Sequence, residues 1–522
     1  MRYHASLLLL PGTLAFQLPF KVPFFNKQVI RANAIGEHLV VDTPRIAIIG
    51  AGAGGSSAAF WISKAKERFG LDVEVDVYER EAYVGGRSTV VYPYDNSSLP
   101  PLELGASIFV EANKNLWRAS DEFNLTRNAF EEGGETGVWD GEKLILSIGD
   151  GWWDTVKVLW RYGIFSPRRT QSIVDGMVKQ FLKFYTKETP KWDKISDLAT
   201  SMGWSNFVHN STANYFGGQG VSEAYIYEIV EAATRVNYGQ NADRIHALEG
   251  AASLATSGAR GIQGGNFQLF EQFLNHSGAK VFLGTTVTDI TQKSKTSHHW
   301  TVESSRGSMA YSAVILAAPL RTTGINLPSK ISTIVPEQPY VHLHVTLLTT
   351  TSPTANPAYF SLPTSATVPR MMLTTHNGAR QGGKEPEFNS MSYHGQIREG
   401  EWGVKIFSKE RISNEWLEDM FLGKVGWVYR KEWDAYPLLP PTTSFPPIKL
   451  DRGLYYVNAF EPFISTMETE TISSRNVVDL LLSEEFNASI CDSRTPTPES
   501  ADDPIVHTAT PNDKDFVIGW DC

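Results

Sequence analysis

The segment that most constrains this 522-residue chain is Gly50-Ala51-Gly52-Ala53-Gly54-Gly55, a G-x-G-x-x-G. Before it, Ile46-Ala47-Ile48-Ile49 is an apolar run of strand length. After it, Ala58, Ile62, Ala65 and Phe69 recur at helical spacing, and Gly70 supplies a stop. Val73, Val75 and Val77 then alternate with Asp72, Glu74 and Asp76, as in a strand. The pattern predicts a βαβ unit whose first turn carries the glycines. There Gly50 permits the tight turn, Gly52 lets the backbone approach a pyrophosphate, and Gly55 lets helix and strand pack closely. Ala53 and Gly54 begin the helix, whose free N–H groups and positive dipole end favour phosphate. Glu79, followed by Arg80, ends the second strand where a carboxylate accepts hydrogen bonds from an adenosine ribose. A dinucleotide site is expected.

Composition excludes other classes. With 47 Lys and Arg against 57 Asp and Glu the net charge is −10, so nucleic acid is not an expected partner. Cys491 and Cys522 are the only cysteines, too few for a disulfide scaffold or a Cys-rich metal site, and no metal is expected. No segment past the N-terminus has the roughly 18 unbroken apolar residues of a membrane span. The start, Met1-Arg2-Tyr3-His4 followed by Ala5–Leu10, has the shape of a signal peptide over 1–20. Five sequons, at Asn96, Asn124, Asn210, Asn275 and Asn487, are compatible with the secretory route.

Further on, residues 126–260 read as mainly helical, with aromatics including Trp152, Trp153 and Trp160 taken as core from their spacing. Strand-like runs return at 285–290, 311–317 and 342–348, and a last strand at 453–458 precedes a helix over 466–482. The end of the chain is rich in Pro, Ser, Thr and Asp and reads as a flexible tail, 486–522.

Two further segments, Gly85-Gly86-Arg87-Ser88 and Glu103-Leu104-Gly105-Ala106-Ser107, resemble motifs of the glutathione-reductase-type flavoproteins in their amine-oxidase-like branch. The resemblance implies an α/β fold: an FAD-binding Rossmann domain with an inserted α+β substrate domain. It places Arg87 beside the pyrophosphate and Val287 on the strand facing adenine. No second G-x-G-x-x-G with an acidic partner follows, which points to an oxidase using O₂. Near the end, Asn458-Ala459-Phe460-Glu461 departs from the usual pattern by its Phe460 but keeps an acid in Glu461. Thr466 and Met467 begin a helix whose dipole is expected to face the flavin.

Arg235-Val236-Asn237-Tyr238-Gly239-Gln240 resembles a signature of the prenylcysteine oxidase family, also called prenylcysteine lyases. Other segments along the chain agree in order, among them Trp160–Gly163, Gly264–Asn266, His344–Leu347, Trp433–Pro437 and Leu454–Asn458. The resemblance implies an FAD-dependent thioether oxidase of the lysosome or vacuole, acting on farnesyl- or geranylgeranyl-cysteine with O₂. It divides the chain into FAD-binding segments 44–125, 261–330 and 450–485. The substrate domain then comprises a helical part, 126–260, and a β part, 331–449. His342 and His344, on one face of a strand, are candidates for the water step, with hydrogen-bonded structural histidines as the competing reading. Asn237 and Tyr238 are candidates for contact with substrate or flavin, against a turn-forming role. Two alternative functions stand beside this one. One is a secreted flavin oxidase of another apolar amine or prenylated metabolite. The other is a non-redox prenyl carrier like the Rab escort proteins.

Overall fold

The computed structural model describes residues 43–129, 134–149, 151–189, 191–292, 299–491 and 516–522. The segment 1–20 lies outside them. In chain order, β1 (Arg45–Ile49), α1 (Ala53–Phe69) and β2 (Glu74–Tyr78) form the expected βαβ unit. Helix α2 (Lys114–Glu122), strands β3 (Thr136–Trp139) and β4 (Leu144–Ile148), and helices α3 (Trp152–Tyr162) and α4 (Phe165–Phe181) follow. Next come α5 (Glu231–Tyr238), α6 (Ala247–Leu254), β5 (Lys280–Phe282) and an antiparallel set, β6 (Val287–Gln292), β7 (Trp300–Ser304) and β8 (Gly307–Tyr311). Then β9 (Ala313–Leu316) leads to β10 (Tyr340–Thr350), β11 (Met371–Thr374), β12 (Ser390–Arg398), β13 (Glu401–Ser408) and β14 (Val425–Pro437). The chain returns through β15 (Lys449–Asp451), β16 (Leu454–Tyr456) and α7 (Met467–Glu485).

These strands build two principal sheets. The first has the order β15-β16-β9-β1-β2-β5, parallel except for the edge strand β15. Its central strands β1 and β9 are buried on both faces, which explains their uninterrupted apolar sequences. The second sheet has the order β14-β10-β13-β12-β11-β3-β4. Residues 136–148, included in the expected helical part, hold two strands of it, β3 and β4, paired antiparallel with β4 at the sheet edge.

Two sequence expectations are corrected here. The end of the chain is not all flexible tail: Cys491 and Cys522 form a disulfide, and residues 519–520 pack on α1. Trp520 lies against Phe60, Trp61, Phe123 and Phe273, and Arg68 donates to the carbonyls of Gly519 and Trp520. The second correction concerns aromatics. Tyr162, Phe181, Phe184 and Tyr185 are core, but Trp152, Trp153 and Trp160 point outward.

Candidate active site

The glycine turn, β2 and α7 converge on a cavity of about 600 Å³. Each motif glycine sits there for a different reason. Gly50 has φ +109°, and a Cβ on it would lie 2.5 Å from the Ala317 carbonyl oxygen. A Cβ on Gly55 would lie 1.9 Å from the Gly50 oxygen, so this third glycine serves packing and does not line the cavity. Gly52 differs: a Cβ there would meet nothing nearer than the Gly85 oxygen at 3.7 Å. No protein atom demands this glycine, whereas a pyrophosphate against the turn would. Helix α1 begins at this point with no side-chain cap and no acid in its first turn, an arrangement that favours an anion at its N-terminus.

Glu79 organises the next wall. Its buried carboxylate accepts N–H bonds from Ala51 and Glu81, each at 2.8 Å. Burial raises its pKa, and those two bonds oppose the rise. Arg80, also on the wall, donates to the Thr322 carbonyl at 2.7 Å. Val287, Thr285 and Thr286 close this end.

At the other end lie Gly86, Arg87, Gly105, Ala106, Asn458, Glu461, Ser465, Thr466 and Met467, as well as Ala53 and Gly54 of α1. Arg87 is ion-paired with Glu461, which also accepts the Tyr340 hydroxyl. Burial opposes the Arg87 charge, but Glu461, Tyr340 and Glu470 together outweigh it and hold the pKa above its ordinary value. Phe460 points away into a cluster with Phe184, Trp192 and Phe463, so the unusual residue leaves the cavity wall unchanged.

The expected residues do not all reach the cavity. Ser107 is off its wall; its hydroxyl receives a 2.6 Å bond from Lys405 and donates to the Gly105 carbonyl. Asn237 is turned into the helical core, donating to the carbonyls of Ala233 and Ser253. Tyr238 touches the wall indirectly through a 3.3 Å bond to the Ser465 carbonyl. His342 lies on the rim with Asp434 at 3.3 Å, and His344 lies beside Glu432, off the wall. The hexapeptide around Asn237 is chiefly an architectural clamp. Buried Arg235 bonds Thr374 and Asn241 and pairs with Glu385, while Gln240 bonds the Pro437 carbonyl and the Leu439 N–H.

Several buried ionisable residues on or behind the cavity wall carry no linear signal. Glu249 accepts the Ser465 N–H, and burial lifts its pKa to about 8. Glu470, in the first turn of α7, is raised well above the carboxylate range by burial and by nearby Glu461, with Arg87 opposing. Lys405 is buried beside Ser107, and burial lowers its pKa to about 8 against the pull of Glu103. An isolated Glu or Lys on a helix or strand looks like a surface residue until tertiary packing buries it.

Both oxygens of Glu470, Oδ1 of Asn458 and Oγ of Ser88 are buried on this cavity without a hydrogen-bond partner among the described residues. Buried polar groups are normally paired. An occupant bearing phosphates, hydroxyls and a polar ring edge satisfies them. Together with the open α1 N-terminus and the Cβ space at Gly52, the residues present fit FAD.

Comparisons with known proteins agree with this geometry. Residues 48–123 match the family described as NAD(P)-binding Rossmann-like domain. A putrescine oxidase structure superposes with TM-score 0.56 at 15% identity, covering 84% of this chain and 99% of that one. A cyclohexylamine oxidase from Brevibacterium oxydans gives 0.55 at 14%, covering 85% and 99%. Farnesylcysteine lyase of Arabidopsis thaliana is 29% identical over 465 residues, 85% of this chain and 89% of that protein. Prenylcysteine oxidase 1 of Homo sapiens is 28% identical over 474 residues, covering 84% and 89%. Residues 148–492 match the family model for prenylcysteine lyase, and the chain belongs to that family.

Proposed function

We propose that this protein is an FAD-dependent oxidase that cleaves the thioether of farnesyl- or geranylgeranyl-cysteine. The observation that carries the reading is the conjunction of a prenylcysteine lyase match over 148–492 with a cavity fitted to FAD. The balanced reaction is R–CH₂–S–Cys + O₂ + H₂O → R–CHO + Cys–SH + H₂O₂. FAD supplies a two-electron acceptor for hydride from the prenyl C1, and O₂ is the final oxidant. The chemistry suits that carbon, because the cation left there is shared by the sulfur lone pair and the allylic alkene. Water adds to C1, a proton leaves, and the C–S bond breaks to release thiol and aldehyde.

The chain's own residues hold and orient. Glu79 and the α1 N-terminus would hold the adenosine and pyrophosphate of FAD. Thr466 and Met467, at the start of α7 on the cavity wall, would offer its dipole to the flavin. Arg87 balances Glu461, while Glu470, favoured as the neutral acid, offers a hydrogen-bond donor rather than a second negative charge. Trp433 and Tyr436 line this end with ring carbon, which keeps water scarce around the reacting thioether.

An oxidising, acidic compartment of the secretory route, lysosome or vacuole, is the location that suits this chemistry. It is supported by the apolar N-terminal run, by exposed sequon asparagines at 96, 124, 275 and 487, and by the Cys491–Cys522 bridge. Product stoichiometry tests the activity. Incubation with farnesylcysteine in air is expected to yield farnesal, cysteine and peroxide in equal amounts, with no turnover of a saturated S-alkylcysteine. Peroxide without thiol release, or equal turnover of the saturated analogue, would contradict the reading.

A further inference from the structure

Half of the large hydrophobic side chains exposed among the described residues fall in one short segment, 152–165. Trp152 is 66% exposed, Trp153 60%, Trp160 89% and Phe165 63%. With Val156 and Leu159 they form a patch of several hundred Å², beyond the scattered apolar exposure usual on soluble proteins. The helix is two-sided. At about 100° per residue, Asp154, Val158 and Tyr162 share one face, and this face is held by the protein. Tyr162 donates to Glu228 at 2.7 Å, Asp154 accepts the Gly149 N–H at 3.0 Å, and Val158 packs beside Tyr162. The opposite arc, about 120° wide, carries Trp152, Trp153, Val156, Leu159 and Trp160. Burying the polar-edged side and exposing the tryptophans reverses what the core of a soluble domain does.

The surrounding charge says what such a face meets. The chain carries −10 overall, yet residues 152–169 hold four cations, Lys157, Arg161, Arg168 and Arg169, against one acid, Asp154. Lys157 pairs with Asp154 and Arg161 with Glu228, which leaves Arg168 and Arg169 in no ion pair among the described residues. Tryptophans with an outward apolar face and flanking arginines are the composition of helices that lie in the headgroup region of anionic bilayers. Helix α3 has 11 residues, about 16 Å, far short of a bilayer core. No helix among the described residues is long and apolar enough to cross a membrane. We propose that α3 and the start of α4 insert sideways into the interface of an anionic lipid bilayer, seating the protein on the membrane surface. The outward Trp152–Trp160 face provides the apolar anchor, and Arg168 and Arg169 provide the preference for negative headgroups.

The test is partition of the full, flavin-loaded chain onto sucrose-filled vesicles, a readout independent of any activity. Binding is expected to vesicles of phosphatidylcholine with phosphatidylglycerol, and more weakly to phosphatidylcholine alone. Trp152→Ser/Trp160→Ser should weaken binding at least about tenfold, since each exchange removes a large buried apolar area. Arg168→Glu/Arg169→Glu should abolish the preference for the anionic vesicles. Should the tryptophan variant lose its fold, brominated lipids report on the unaltered protein by quenching its tryptophan emission. Wild-type protein left in solution with both vesicles overturns the proposal. So does a folded tryptophan variant that binds as wild type, sedimented protein without quenching, or a dimer that this variant dissolves.

Discussion

Gly52 pairs with Gly85 in an isolated parallel bridge on the cavity wall, and a Cβ on Gly52 would stop 3.7 Å short of the Gly85 oxygen. Two glycines of one motif therefore separate by mechanism. Gly52→Ala should give a folded protein with weakened flavin retention, and Gly52→Trp one with none. Gly55→Ala, with its Cβ 1.9 Å from the Gly50 oxygen, should destabilise the fold itself by about 3 kcal/mol. Flavin absorbance per protein, read beside the apoprotein melting curve, separates the two outcomes.

Arg87 is the cation that faces Glu461 and Glu470 on the cavity wall. Arg87→Met leaves these acids without it and should cost about 3 kcal/mol of stability along with flavin content. Arg87→Met/Glu461→Gln should recover part of the stability, because no unpaired charge is then left beside Arg87's position. A double-mutant cycle on melting free energies measures this coupling.

Glu249 and Glu468 are buried carboxyls whose pKa values burial lifts from 4.5 to about 8 and about 7. Between the unfolded and folded values the native state holds the extra proton, so stability is greatest on the acid side and falls as pH rises through this window. Stability should drop from pH 5 to pH 8 by on the order of 3 kcal/mol per group, and the melting temperature should fall with it. Glu249→Gln, which cannot ionise, should flatten its share of the slope.

The Cys491–Cys522 bridge closes across 31 residues and holds Trp520 in the ring cluster with Phe60, Phe123 and Phe273. Cys522→Ser should lower stability by about 3 kcal/mol. The same loss is expected when wild-type protein is melted with a reductant, and the variant should then show no further change.

The dinucleotide half of this site was legible because its logic is local. A turn, a strand and a helix within 35 residues of Gly50 carry glycines and an acid whose spacing reports their roles. The other end of the cavity is built by distant contacts. Glu470 lines it, and Tyr340 and Glu249 bond Glu461 and Ser465 on its wall, only once the fold has formed, and no periodicity marks them. Asn237 misleads for the complementary reason: a segment that identifies the family can do so by clamping the architecture, as Arg235 and Gln240 do. The tryptophans of α3 show a third limit. Helical spacing gives the existence of an apolar face but not the side on which the protein lies, and here the packed face is the one with Asp154 and Tyr162.

The most direct test of the central claim is anaerobic mixing of the flavin-loaded protein with farnesylcysteine while the oxidised flavin band is followed. The account predicts bleaching of the band within the mixing experiment, with recovery of the band and formation of peroxide and farnesal when air is admitted. A band that stays oxidised with farnesylcysteine and with geranylgeranylcysteine, in protein shown to hold its flavin, would contradict it.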